Sequence, residues 1–143
     1  IGIPNRKGER GFVKMSKDFL QAFQEGRIFL GSQDENVQDL PWHEHPQFQG
    51  VALKHLVTAK DSGGKFSSHL VRVNRGCEIG NHIHAGKWEL HEVLAGRGKC
   101  RIDRKELDYC EGVTAVIPSD IPHLVQATET DLYIMAKFVP ALL

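Results

Sequence analysis

The sequence lacks any apolar run near the roughly 20 residues needed to cross a bilayer, so no membrane partner is expected. Its first residues, Ile1 to Gly11, lack the apolar core of a signal peptide. It also lacks a C-x-x-C pair. Cys77, Cys100 and Cys110 are odd in number and scattered, which argues against a disulfide framework or a thiolate zinc site. A reducing, cytoplasmic compartment is the expectation. There is no charge excess of either sign, with 18 Lys plus Arg against 18 Asp plus Glu, and no basic stripe or DNA-reading helix pair. Both absences argue against a nucleic-acid partner. Internal repeats and low-complexity tracts are missing too.

What is present suits one globular domain: 143 residues, 41% hydrophobic and 25% charged. Fourteen glycines favour a turn-rich β protein, and eight histidines raise the question of a metal. Three stretches are expected. Residues 1–15 read as an extension, non-native or disordered, with Met15 as the natural start. Residues 16–49 read as a helix and a covering segment, and residues 50–143 as the main β unit. The helix runs from Ser16, which caps it, to Gly26 as a left-handed C′ residue, with Asp18 complementing the dipole and Phe19, Leu20 and Phe23 as its apolar side. Residues 31–49 are polar and punctuated by proline, a lid candidate for a pocket mouth. From Val51 the pattern turns to period 2. Val51, Leu53 and His55 share one face, and strands are predicted over 66–74, 80–84, 88–95, 98–103, 113–117, 123–128 and 131–139. A turn at Asp103 to Glu106 interrupts them. Short strands at this spacing, without intervening helices, predict an antiparallel sandwich or barrel.

His82-Ile83-His84 lies on a predicted strand, and alternation puts both imidazoles on one face. On the next strand Glu89, His91 and Val93 share a face, while Leu90, Glu92 and Leu94 take the other. His123 enters a later strand after a proline turn. If these strands wall one barrel, three imidazoles and the Glu89 carboxylate converge inside it. His91, one strand step from Glu89, is read either as a proton shuttle or as a buried histidine holding a neighbour. His69 shares a face with Val71 and Val73 and is a weaker pocket candidate. His55 is weaker still. His43-Glu44-His45 repeats the H-x-H pattern, but it lies between prolines without a following Glu and reads as a loop before it reads as a second metal site. Trp42 and Cys100 are expected to pack; Arg72, Lys99 and Arg101 to face outward.

The spacings Gly76-x5-His82-x-His84-x4-Glu89-x6-Gly96 and Gly112-x5-Pro118-x-Asp120-x2-His123 resemble the two cupin motifs, over about residues 50–140. Asp120 stands where the family usually has Gly, and Ala127 where it often has Asn. The resemblance implies an all-β fold, a double-stranded β-helix or jelly-roll (cupin) barrel, with a short N-terminal helix. It implies one divalent transition metal (Fe, Mn, Ni, Zn or Cu) held by His82, His84, Glu89 and His123, with open coordination positions. His91 is the candidate catalytic residue, and His69, Val71, Val93 and Ile102 are the candidate pocket walls. The function expected first is a metal-dependent non-haem dioxygenase acting on a small molecule. The alternatives are an isomerase or lyase, including sugar-active types, and a non-catalytic sensor or binding module. A homodimer is expected.

Overall fold

From residue 51 onward the chain runs in short antiparallel strands with a single helical turn among them. The computed structural model describes residues 2–4, 12–14 and 18–143. In chain order its elements are β1 (Gly2–Pro4), β2 (Phe12–Lys14), α1 (Phe19–Gln24), β3 (Arg27–Leu30), β4 (Gln33–Asn36), a 3-10 turn (Val37–Asp39) and β5 (His43–Glu44). Next come β6 (Val51–Val57), α2 (Ala59–Ser62), β7 (Ser67–Val73), β8 (Glu78–His82), β9 (Trp88–Ala95) and β10 (Arg97–Ile102). The last four are β11 (Lys105–Cys110), β12 (Thr114–Ile117), β13 (His123–Ala127) and β14 (Leu132–Val139).

One sheet has the order β12-β9-β14-β7-β6-β5, the other β11-β10-β13-β8. Their apolar faces share one core: Val51, Val71, Val73, Val93 and Ile134 from the first, Cys100, Tyr109, Val125 and Ala127 from the second. Burying both inner faces together is the solution two amphipathic sheets require. The fold is all-β, a jelly-roll barrel of antiparallel strands.

Register sets the interior in rows. Ser67, Phe138, Glu89 and Ile117 lie side by side across β7, β14, β9 and β12. The next row is His55, His69, Ala136, His91 and Ala115. Alanine on either side of His91 leaves room for its ring. In the second sheet His123 pairs with both Ile102 and His82.

Several expectations shift. The predicted turn over 103–106 is only Asp103-Arg104, with Asp103 at φ 55°, and β11 begins at Lys105. Charged outward residues had hidden that strand. Helix α1 is capped by Asp18, whose Oδ1 accepts from the Gln21 N–H at 2.9 Å. Ser16 and Met15 lie outside the described residues, and of the extension only the antiparallel ladder between β1 and β2 is described. Gly26 does not adopt a left-handed φ; a Cβ there would sit 3.1 Å from the Ala22 carbonyl oxygen, a tight approach that favours the glycine. The segment 18–42 does not cover the barrel interior. Leu20, Ile28, Val37, Leu40 and Trp42 pack on the outer face of the large sheet, against Leu56, Leu70, Leu94 and Met135. Trp42 also stacks under the Arg72 guanidinium at 4.6 Å.

His69 is fully buried between His55 and Ala136 in its row, and burial first, then the neighbouring His55, lowers its pKa to about 4. An unfolded histidine takes up its proton near 6.5, whereas folded His69 resists protonation until about 4. Stability from this group is therefore complete above pH 6.5 and declines as pH falls, by up to about 1.4 kcal/mol per pH unit. Urea denaturation of the metal-free protein between pH 7 and 5 should lose stability more steeply in the wild type than in His69→Gln. Equal slopes would contradict this.

Candidate metal centre

Two strands and two turns bring the histidines together. His82 ends β8, His84 follows it, and His123 opens β13 directly opposite His82. The preceding turn works because Asp120 adopts φ 67°, a conformation that Asp tolerates better than most residues in the family's usual glycine position. Its Oδ1 accepts from the Gly86 N–H at 3.1 Å, which ties that turn to the loop after His84. One ring nitrogen from each of His82, His84 and His123 falls within 4.8 Å of the others. His82 and His123 rings have centroids 4.1 Å apart.

Backbone geometry fixes which nitrogen faces inward. His82 Nδ1 lies 2.7 Å from the Gly80 carbonyl oxygen and His123 Nδ1 lies 2.9 Å from that of Ile121. A ring that donates from Nδ1 leaves Nε2 with a free lone pair, the arrangement that second-shell carbonyls give metal-binding histidines. Burial lowers the pKa of His82, and lowers that of His84 to about 4, so both rings are neutral and able to ligate.

Glu89 adjoins this cluster from the large sheet. Its Oε1 is 3.0 Å from His123 Nε2 and 3.2 Å from His91 Nε2. Burial opposes its ionisation, but the His91 and His123 rings beside it hold the carboxyl well below the usual carboxylate range. Glu89 Oε1 and His123 Nε2 are buried, and despite these close contacts neither makes a well-aligned hydrogen bond among the described residues. Orphaned buried polar atoms are rare and cost about 1–3 kcal/mol each. Two of them in contact, beside two neutral imidazoles, fit a divalent cation. Mixed nitrogen and oxygen donors suit Fe, Mn, Ni, Zn or Cu without choosing among them.

His91 does not offer a free nitrogen to the cavity. Its Nδ1 is hydrogen-bonded to the Tyr109 hydroxyl at 2.8 Å and its Nε2 meets Glu89. Burial opposes its charge, yet the adjacent carboxylate pushes its pKa up to about 9. Tyr109, 1% exposed on the strand that the sequence reading overlooked, was not anticipated. Burial raises its pKa, so it stays a neutral phenol.

A cavity of about 210 Å³ opens on the centre, walled by Val51, Leu53, Val71, Ile79, Ile134, Phe138 and Leu142 and by His45, Gln47 and Phe48. That is below the roughly 300–1,000 Å³ of drug-sized sites and calls for a small ligand. Of the four anticipated wall residues, Val71 lines this cavity. His69, Val93 and Ile102 do not. The His69 ring is bound to His55 Nδ1 (2.8 Å) and Ser67 Oγ (2.9 Å), with Phe138 packed on it at 5.7 Å. Val93 is one row deeper in the core, and Ile102 packs against that core beside His123. Of the polar segment 31–49, only His45, Gln47 and Phe48 reach the cavity. Ala127 is fully buried with the core and lies outside the cavity wall.

The model of the family described as "Cupin domain" matches residues 69–136, which hold all four anticipated ligands. The chain is a cupin-domain protein. Solved structures agree on the fold. A predicted oxalate decarboxylase from Thermotoga maritima is 21% identical at TM-score 0.67, over 72% of this chain and 95% of that one. An RmlC-like cupin from Shewanella frigidimarina is 15% identical at TM-score 0.65, over 76% and 90%. Ectoine synthase from P. lautus is 18% identical at TM-score 0.59, over 66% and 67%. Comparison with curated proteins finds no match. Cupin barrels host unrelated chemistries, so the activity must be argued from the site. No helix among the described residues is long and apolar enough to cross a membrane.

Proposed function

We propose that this cupin is a metal-dependent enzyme acting on a small, largely apolar molecule, with a non-haem dioxygenase reaction as its specific chemistry. The observation that carries the reading is the buried contact between Glu89 Oε1, on the wall of a largely apolar cavity, and His123 Nε2 behind it. His82, His84, His123 and Glu89 would hold the cation. A bound divalent transition metal would supply Lewis acidity toward a substrate oxygen and, for a redox-active ion, access to dioxygen. Ile134, Phe138 and Leu142 give that space an apolar wall, and a bound apolar ligand that displaces water there would strengthen the charge interactions inside it. His91 acts through Glu89: Tyr109 orients its ring, and the ring fixes the carboxylate. That makes it a positioning residue.

The chain Glu89, His91, Tyr109 favours a second reading, a redox-neutral lyase or isomerase, in which Glu89 would take a proton from one substrate atom and return it to another, with His91 and Tyr109 holding the carboxylate in place. Names among the structural relatives, a synthase and a predicted decarboxylase, lean the same way. A sugar-active type is less well supported, because only His45 and Gln47 add polar contacts beyond the centre and His91. Turnover of a found substrate should stop under strict anaerobiosis and return with air. Undiminished anaerobic turnover removes the dioxygenase reading and leaves the redox-neutral one. A ligand-induced rise in Tm without product would instead support a binding module.

A further inference from the structure

The polar side chains lining the cavity are His45, Gln47, His82, His84, Glu89 and His91. Three of these belong to the candidate centre, and both nitrogens of His91 are engaged. His45 differs from all of them. Its Nδ1 accepts hydrogen bonds from the backbone N–H groups of Gln47 at 3.1 Å and Phe48 at 3.3 Å. A neutral ring nitrogen that accepts carries no proton, so the proton sits on Nε2. No partner for that Nε2–H is present among the described residues. Burial lowers the pKa of His45, which keeps the ring in this neutral form.

The ring is also held rigidly. The His45 backbone N–H donates to the Val51 carbonyl at 2.8 Å, and the Phe48 ring lies against the imidazole at 4.7 Å. Phe48 in turn packs on His82 at 6.1 Å. It can do so because residue 80 is glycine, where a Cβ would come within 2.9 Å of the Phe48 ring. The 45–48 turn is thus docked onto the strand that carries His82. A pre-oriented donor with no protein acceptor, on the cavity wall away from the histidine–carboxylate centre, is a recognition device.

We infer that His45 is a specificity residue of this site, donating its Nε2–H to an acceptor oxygen on the substrate remote from the end held at the histidine–carboxylate centre. The inference rests on the proposed metal reading and deepens it: the substrate class is a small molecule with two oxygen functions, one at each end of an apolar spacer.

Cobalt(II)-loaded protein titrated with hydroxamates tests it, the visible spectrum reporting binding. Acetohydroxamate has the chelating head alone. 3-Methoxypropanohydroxamate and 4-methoxybutanohydroxamate add a remote ether oxygen, and pentanohydroxamate and hexanohydroxamate are their hydrocarbon counterparts. Wild-type protein should bind at least one ether about fivefold more tightly than its counterpart, as one neutral hydrogen bond allows. His45→Phe should abolish that preference without changing acetohydroxamate affinity, and His45→Gln, which keeps a donor, should restore part of it. Nitrogen-15 spectra of metal-free protein should show His45 protonated at Nε2. No ether preference in the wild type, a preference surviving in His45→Phe, or an Nδ1-protonated ring would each overturn the assignment. A cobalt spectrum unmoved by acetohydroxamate would instead overturn the metal reading, and this inference with it.

Discussion

His123→Ala protein, purified without chelator, is expected to retain its β fold and to contain no stoichiometric divalent metal. His123 is the side chain through which the two sheets meet at the centre. It opens β13, pairs with His82 across the smaller sheet, and touches Glu89 of the larger one at 3.0 Å. Its Nε2 is one of the two orphaned atoms, and its Nδ1 contact with Ile121 fixes the direction of the other nitrogen. Removing a supporting group behind a ligand costs 10–100-fold in metal affinity, so removing a ligand should exceed about 100-fold. Elemental analysis with far-ultraviolet circular dichroism separates lost binding from lost folding. One metal per chain in a folded variant would refute the ligand assignment.

Gly96→Ala is expected to be the most damaging of the conservative glycine substitutions. Gly96 has φ +92°, and a Cβ there would meet the Asp131 carbonyl oxygen at 2.0 Å and the Leu132 Cα at 3.0 Å. The Asp131 loop has little freedom to withdraw, since Asp131 Oδ1 accepts from the Arg75 N–H at 2.7 Å and Thr130 Oγ1 from the Arg97 N–H at 3.0 Å. Backbone strain and a clash with backbone therefore add, for a cost of about 3 kcal/mol or more and a fall in Tm of roughly 10 °C. Gly76→Ala is the control. It shares a positive φ of 77° but meets nothing within 4 Å, so only the conformational cost of about 1 kcal/mol remains. Equal losses from the two would show that the contact at Asp131 carries no weight.

The barrel and the clustering of His82, His84 and His123 were legible in the sequence for one reason. Strand alternation and fixed motif spacing are local properties: Val71, Glu89 and His91 line the cavity as alternation requires, and His84, just past the end of β8, joins them beside His82. What alternation cannot supply is depth. His69 faces inward too, but Phe138, 69 positions later in the chain, seals it away from the cavity. The strand Lys105–Cys110 was hidden because Lys105, Glu106 and Asp108 are exposed, and with it went Tyr109, the partner that defines His91. The hairpin of β3 and β4 is equally masked, its second strand exposed throughout. His45 was discounted with the H-x-H of its loop. Its tautomer is set by the backbone N–H groups of residues 47 and 48, which no side-chain pattern records.

The central claim is that three imidazoles and one carboxylate share a single cation inside this barrel. X-ray absorption at the metal edge, on protein loaded with one equivalent of cobalt(II), tests it most directly. The spectrum should show multiple scattering from three imidazole rings together with oxygen ligation that weakens in Glu89→Ala. A shell containing one imidazole or none, or one unchanged when Glu89 and His123 are removed, would contradict the claim.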